Sequence, residues 1–234
     1  MNAPHSNPNL ARLALAAEKL KPLLGEIAFV GGCVTGLLLT DPAASPVRST
    51  LDVDAIVAAG SYVDFTLLEG RLRQLGFHQP HSEGAPICRW LSGDLILDLM
   101  PTDVSVLGFS NRWYRPAFEN AQAITIAQLD VRVITAPYFL GTKLEAFRGR
   151  GRNDFRMSHD LEDIVTVIDG RAELVDEVRV SQVDLRRYLR DAFRELLSNR
   201  DFVEALPGHL LPDLASQQRV GLVAERIRKL IIER

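Results

Sequence analysis

The feature that most constrains this chain is an apolar strand that ends in two glycines and precedes a second strand carrying two aspartates. The first segment is Phe29–Gly32, and Asp52 and Asp54 lie in the second, Thr50–Ala55. Side chains alternate between the two faces of a β-strand, so the spacing predicts that both aspartates share one face. Two neighbouring carboxylates repel each other, and a divalent cation such as Mg²⁺, which takes oxygen ligands, would relieve that repulsion.

The glycine pair adds a second element of chemistry. Gly31 and Gly32 end the first strand and precede a predicted short buried helix over 33–39. Glycine allows close approach to the backbone, and the N–H groups at the start of a helix attract phosphate. Phosphate-binding backbone beside paired carboxylates indicates a site for a metal ion and a nucleotide.

A third carboxylate lies further along the chain. The segment Leu95–Met100 is predicted to be a strand in which Asp98 interrupts an apolar run, and burying an aspartate is costly unless something pairs with it. Together with Asp52 and Asp54, Asp98 would hold two Mg²⁺ ions for displacement at a phosphorus and accept the proton of the attacking hydroxyl. The competing interpretation places Asp52 and Asp54 at an exposed edge and pairs Asp98 with an arginine.

Composition and charge limit the function classes. The chain has 234 residues, enough for one large domain or two small ones, and its net charge of −3 excludes a protein-wide basic field for nucleic acid. We find no apolar run of about 18 residues for a membrane span and no secretory signal. Cys33 and Cys88 lack the spacing of zinc ligands. We therefore expect a cytoplasmic protein without membrane contact.

Hydrophobic periodicity predicts an α/β (α+β) fold, with an α/β domain over 1–135 and a helical C-terminal domain over 136–234. Residues 1–8 are predicted to be a loose terminus, and Asn9 to cap the first helix. The predicted strands of the first domain are 27–30, 50–58, 86–91, 95–100, 122–126 and 130–134, and its predicted helices are 9–21 and 61–75. The predicted helices of the second domain are 137–148, 157–169, 171–179, 183–198 and 214–233.

Charged residues of the helical half form a second candidate group. Lys143 is either an exposed helix lysine, the usual environment of lysine, or a point charge that binds a triphosphate. Asp160 and Asp163 share one face of a predicted helix, either as a solvated acidic face or as a support that orients Lys143 or an arginine of the preceding loop. That loop carries Arg148, Arg150, Arg152 and Arg156, which suit either a flexible solvated segment or the phosphates of RNA.

These stretches resemble a known family. Gly31-Gly32, the segment Arg48–Asp54 and Asp98 are similar to the core of the nucleotidyltransferase superfamily, whose fold is that of DNA polymerase beta. The Arg-x-Thr-x-Asp-x-Asp form and the helical C-terminal half most resemble the AbiEii-type nucleotidyltransferase toxins, which also carry a lysine and an Asp-x-x-Asp pair where this chain has Lys143 and Asp160–Asp163. Gly32 departs from the serine that many members carry.

The resemblance implies an enzyme that uses Mg²⁺ or Mn²⁺ to transfer a nucleoside monophosphate from an NTP to an acceptor hydroxyl. The residues that it implies are the catalytic metal ligands Asp52, Asp54 and Asp98, the nucleotide-binding Gly31, Gly32, Thr50 and Lys143, and the supporting Arg48, Asp160 and Asp163. It further implies an RNA 3′ end, such as that of tRNA, as acceptor, a toxin role and an antitoxin partner. The alternatives are transfer to a small molecule or a protein, and a catalytically silent nucleotide-binding protein.

Overall fold

The structure is a computed structural model that describes residue 7 and residues 9–151 and 153–232. The predicted loose terminus over 1–8 lies outside the described residues except for Asn7, and Arg152 of the basic loop also lies outside them. The chain divides into two compact units. The first contains the residues up to Gly36 together with Arg48–Thr135, and the second contains Leu37–Val47 and the residues from Ala136 onward.

A six-stranded sheet forms the first unit, and its strands in chain order are β1 Ile27–Val30, β2 Asp52–Val57, β3 Arg89–Ser92, β4 Leu95–Pro101, β5 Gln122–Ile126 and β6 Leu129–Val133. Their order across the sheet is β3-β4-β2-β1-β6-β5. The sheet is mixed, because β2 runs parallel to β4 and β1 to β6, whereas the other neighbours are antiparallel. The predicted α/β (α+β) fold class is confirmed.

Among the described residues of the first unit, four α-helices accompany this sheet: α1 Leu10–Lys19, α2 Tyr62–Gln74, α3 Val104–Leu107 and α4 Tyr114–Glu119. Helix α1 buries Leu13, Ala16 and Ala17, which recur at helical spacing. Helix α2 begins after Ser61, whose hydroxyl accepts a hydrogen bond from the N–H of Asp64.

The central strand β2 shows the predicted alternation of side chains. Val53 and Ala55 are fully buried, whereas Asp52 and Asp54 on the opposite face are half-buried. Because β2 lies between β1 and β4, backbone hydrogen bonds hold it on both sides. The two aspartates therefore project from an interior strand rather than from the edge strand that the competing interpretation required.

Local predictions around this strand need correction. Strand β2 begins at Asp52, and Thr50 stands before it with its hydroxyl donating to the carbonyl of Asp52 at 2.6 Å. The predicted helix over 33–39 is instead a 3₁₀ helix, Gly32–Leu37. Within the described residues, Asn9 makes no capping hydrogen bond to α1, because its side chain is bonded to other segments of the chain.

The second unit is helical, as its sequence predicts. Its helices are α5 Ala136–Arg150, α6 His159–Gly170, α7 Leu174–Val180, α8 Val183–Ser198, α9 Arg200–Ala205, α10 Leu214–Gln218 and α11 Val220–Ile231. Helix α11 buries Val223, Ile227 and Leu230, which recur at helical spacing. In the part of the chain that the structure describes, no helix is both long and apolar enough to cross a bilayer.

The segment Leu37–Val47 lies in the second unit, although its position in the sequence places it within the first predicted domain. The backbone N–H groups of Thr40 and Asp41 donate to the carbonyl of Gly170 at the end of α6. A hydrogen bond from Arg219 holds the pKa of the Asp41 carboxyl below its usual value. These contacts attach the segment to the helices. The division into domains over 1–135 and 136–234 stays a prediction.

Candidate active site

Three charged side chains stand in a row across β3, β4 and β2. In the register of the sheet, Arg89 of β3 pairs with Asp98 of β4, and Asp98 pairs with Asp54 of β2. Residues paired in this way project from the same face, and Asp52 projects from that face as well because it lies two residues from Asp54. We call the three aspartates Asp52, Asp54 and Asp98 the carboxylate row, and Arg89 lies beside it. Its three aspartates were selected from the sequence, and Arg89 was not.

Arg89 binds Asp98 through two nitrogens of its guanidinium group. Its Nε donates to Oδ1 of Asp98 at 2.8 Å, and its Nη2 donates to Oδ2 at 2.7 Å. Nη2 also donates to Oδ2 of Asp52 at 3.2 Å. Hydrogen bonding to Asp98 raises the pKa of Arg89 above its usual value, so its positive charge persists. The sequence interpretation that pairs Asp98 with an arginine describes this contact.

The contacts of Arg89 also bear on whether the carboxylates can bind a metal ion. Both oxygens of Asp98 and one oxygen of Asp52 accept hydrogen bonds from Arg89. Across the described residues, no group of three or more His, Cys, Asp or Glu side chains is arranged to hold a metal ion. The carboxylate row in this arrangement therefore does not fit a bound Mg²⁺, and metal ligation by its aspartates stays a prediction.

A buried thiol beside the row carries no separate chemistry. Cys88, next to Arg89 in sequence, is a free and buried cysteine. Burial, followed by the negative charge of Asp98, raises the pKa of Cys88 to about 11. A thiol with this pKa is protonated at neutral pH and is a weak nucleophile, so we assign Cys88 no role in covalent catalysis.

The predicted glycine turn lies directly against the carboxylate row. Gly31 follows β1 with a φ of +73°, a conformation that glycine adopts at little cost. A Cβ atom at this position would stand 2.0 Å from Oδ2 of Asp54. The backbone of Gly31 therefore contacts the Asp54 carboxylate, and no other residue type fits here without moving that side chain.

Replacing Gly31 with alanine is expected to lower the free energy of unfolding by about 1–2 kcal/mol from the left-handed backbone alone. The added methyl group must also displace the Asp54 carboxylate. Urea unfolding measures the loss, and Gly25→Ala is the matched control, because among the described residues no heavy atom lies within 4 Å of a Cβ placed at Gly25. Equal stability of the two variants would contradict the close contact.

A buried asparagine connects the glycine turn to the segment that leads into β2. Asn9 accepts a hydrogen bond from the N–H of Thr50 at 3.0 Å, and its amide donates to the carbonyls of Arg48 at 3.1 Å and Gly32 at 3.5 Å. The predicted site residues Gly32, Arg48 and Thr50 are thus held together through one side chain. Nucleotide binding by Thr50 and Gly32, and support by Arg48, stay predictions.

The second unit contains an ion-pair cluster, which we call the Lys143 cluster: the buried Lys143, Asp160 and Asp163 together with the exposed Arg150. The Nζ of Lys143 lies 2.6 Å from Oδ2 of Asp163 and 3.1 Å from Oδ1 of Asp160. The side chain of Lys143 is 8% exposed, so the interpretation as an exposed helix lysine is wrong. The sequence interpretation in which the aspartates orient Lys143 describes this geometry. Triphosphate binding by Lys143 stays a prediction.

The arginines at the end of α5 are paired with carboxylates. Arg150 donates from Nη2 to Oδ1 of Asp160 at 3.0 Å and from Nε to Oδ2 at 3.2 Å. The Nη2 of Arg148 lies 2.5 Å from Oε2 of Glu195. Burial opposes ionisation of Asp160, but the charges of Lys143 and Arg150 outweigh it and lower its pKa below the usual value. Binding of RNA phosphates by Arg148 or Arg150 would have to compete with these carboxylates.

Arg89 and Asn9 are the two site residues that sequence reasoning missed. The sequence does mark Arg89 as a candidate, because this charged residue interrupts the apolar residues Ile87–Leu91 just as Asp98 interrupts the next strand. The sequence does not mark Asn9 as anything other than a helix cap, since asparagine before an apolar periodic segment is the usual capping pattern.

Comparisons with known proteins give weak similarities. Neither a protein-family model nor a curated protein matches the chain. An antigenic nucleotidyltransferase-like protein from Paracoccidioides brasiliensis is 20% identical, with a TM-score of 0.49, over 86% of this chain and 92% of its own. JHP933 from Helicobacter pylori is 15% identical, with a TM-score of 0.48, over 97% of this chain and 94% of its own. The antibiotic-resistance factor ANT(2'')-Ia is 17% identical, with a TM-score of 0.45, over 84% of this chain and 97% of its own. Similarities at this level assign neither a family nor an activity to this chain.

Proposed function

We propose that the protein transfers a nucleoside monophosphate from an NTP to an acceptor hydroxyl and releases pyrophosphate. The observation that carries the proposal is the carboxylate row, in which Asp52, Asp54 and Asp98 project from one face of two adjacent interior strands. The left-handed turn at Gly31 supports it, because this turn brings backbone directly against Asp54. A sheet that only had to pack would gain nothing from three adjacent carboxylates.

The reaction balances without a further reactant. The acceptor oxygen forms a bond to the α-phosphorus of the NTP, the bond from that phosphorus to the bridging oxygen breaks, and pyrophosphate leaves. The acceptor hydroxyl gives its proton to a carboxylate of the row, and Asp54 is the proposed base because it lies against the glycine turn that is proposed to hold the phosphates. The NTP is proposed to arrive as its Mg²⁺ or Mn²⁺ complex.

The proposed acceptor is the 3′ end of an RNA such as tRNA, in a toxin that pairs with an antitoxin protein. The resemblance of Arg48–Asp54 to AbiEii-type toxins supports this finer assignment. A small-molecule or protein hydroxyl is the alternative acceptor. A catalytically silent nucleotide-binding protein is the second candidate function, and the pairing of Arg89 with Asp98 and Asp52 favours it, because it neutralises part of the charge of the row.

Incubation with each α-labelled NTP, Mg²⁺ and total RNA tests the proposal. Label in an RNA band on a denaturing gel, with release of pyrophosphate, is the expected result and identifies both the base and the acceptor class. Label in the protein or in a small molecule would retain the transfer reaction and contradict the RNA acceptor. Nucleotide binding without transfer to any of these acceptors would favour the silent binding protein.

A further inference from the structure

The guanidinium of Arg89 takes the place that a cation would need in the carboxylate row. It is positioned by the sheet itself, because Arg89 and Asp98 are direct partners in the β3–β4 register. Its two-pronged contact occupies both oxygens of Asp98, and the same Nη2 reaches Asp52. One side chain thus connects two of the three aspartates and supplies the positive charge that relieves their repulsion.

A divalent cation at these oxygens would have to compete with the charge of Arg89. Arg89 occupies one of the two lone-pair sites on each oxygen of Asp98. Mg²⁺ binds carboxylate oxygens at about 2.0–2.1 Å, so an ion on the remaining sites would lie close to the guanidinium group and would be repelled by its positive charge. The Arg89 side chain is 27% exposed and that of Asp98 11%, so the arginine is the member of the pair with more access to solvent.

We infer that Arg89 is an internal counter-cation that competes with divalent metal ions for Asp98 and Asp52. The positive charge of Arg89 opposes the binding of a metal ion to the row, and the folded protein without metal is the arginine-bound form. The inference rests on the proposed function for the choice of a divalent cation. Metal binding is measured without an acceptor or an NTP, so its failure is separable from a failure of transfer.

Titration with Mn²⁺ alone, followed by electron paramagnetic resonance of the free ion, tests the inference. Arg89→Gln removes the competing charge and is expected to bind Mn²⁺ about tenfold or more tightly than the unaltered protein, in line with the strength of a two-pronged charged contact. Arg71→Gln is the matched control, because Arg71 forms an exposed ion pair with Glu26 at 2.7 Å in the same unit. Its Mn²⁺ affinity is expected to be unchanged.

Two further variants control for binding elsewhere and for misfolding. Arg89→Gln with Asp98→Asn is expected to lose the gain in affinity, which assigns the bound Mn²⁺ to this row. If Arg89→Gln does not fold, Arg89→Lys replaces it, because an ammonium group cannot hold both oxygens of Asp98 in the same two-pronged contact. An unchanged or weaker Mn²⁺ affinity in the folded Arg89 variant would overturn the inference, whether or not the protein transfers nucleotides.

Discussion

Replacing Lys143 with methionine is expected to lower the free energy of unfolding by about 3–5 kcal/mol, as is usual when one partner of a buried ion pair is removed. The side chains of Asp160 and Asp163 are 8% and 2% exposed, so neither can recover its hydration when the ammonium is lost. Asp160 keeps Arg150 as a partner after the change.

Urea unfolding of the two proteins measures this loss. Lys229→Met is the matched control, because Lys229 pairs with Glu225 on the surface of α11 with half of its side chain exposed. It is expected to lose less than about 1 kcal/mol. Adding Asp163→Asn to Lys143→Met should restore part of the stability, since the more deeply buried of the two aspartates is then neutral. Similar losses for the two lysine variants would show that the Lys143 cluster does not behave as a buried ion pair.

Replacing Asp54 with asparagine is expected to reduce nucleotidyl transfer by at least about 10²-fold, the lower contribution of a general base. Asparagine keeps the shape of the side chain and its place against Gly31, but it cannot accept the proton of the acceptor hydroxyl. Stability should hold or rise slightly, because the change removes one of two like charges that face each other at Asp54 and Asp98.

This opposite behaviour of activity and stability separates a catalytic role from a structural one. Initial rates of label transfer and urea unfolding are measured on the same preparations. Asp94→Asn is the control, because Asp94 is an exposed residue of the turn between β3 and β4. Its rate is expected to equal that of the unaltered protein. Full activity in Asp54→Asn would exclude Asp54 as the base, and a large loss of stability would show that the carboxylate is structural.

Part of the site could be predicted from local patterns. The alternation of side chains along a strand is a property of each segment, so the shared face of Asp52 and Asp54 followed from their spacing, and the structure shows it. The selection of Asp98 as a candidate site residue followed from the cost of burying a carboxylate in an apolar strand. The structure places it beside Asp54, which no spacing in the sequence could show.

Pairing partners and long-range tethers could not be predicted. Arg89 contacts Asp98 because the β3–β4 turn sets the register of those strands, and a register shifted by one residue would place it on the opposite face. Asn9 matched the pattern of a helix cap, yet its amide bonds segments far along the chain. The segment Leu37–Val47 was placed by sequence continuity, but its backbone hydrogen bonds go to the end of α6.

The sequence by itself determined the α/β class, the helical character of the second half, and the three aspartates and glycine turn that define the candidate site. These properties depend on the periodicity and chemistry of neighbouring residues. The tertiary structure alone decided that Arg89 neutralises part of the carboxylate row and that Lys143 is buried between Asp160 and Asp163. Such charge pairing depends on distances between residues that are remote in the chain or on different elements, and only the folded backbone sets those distances.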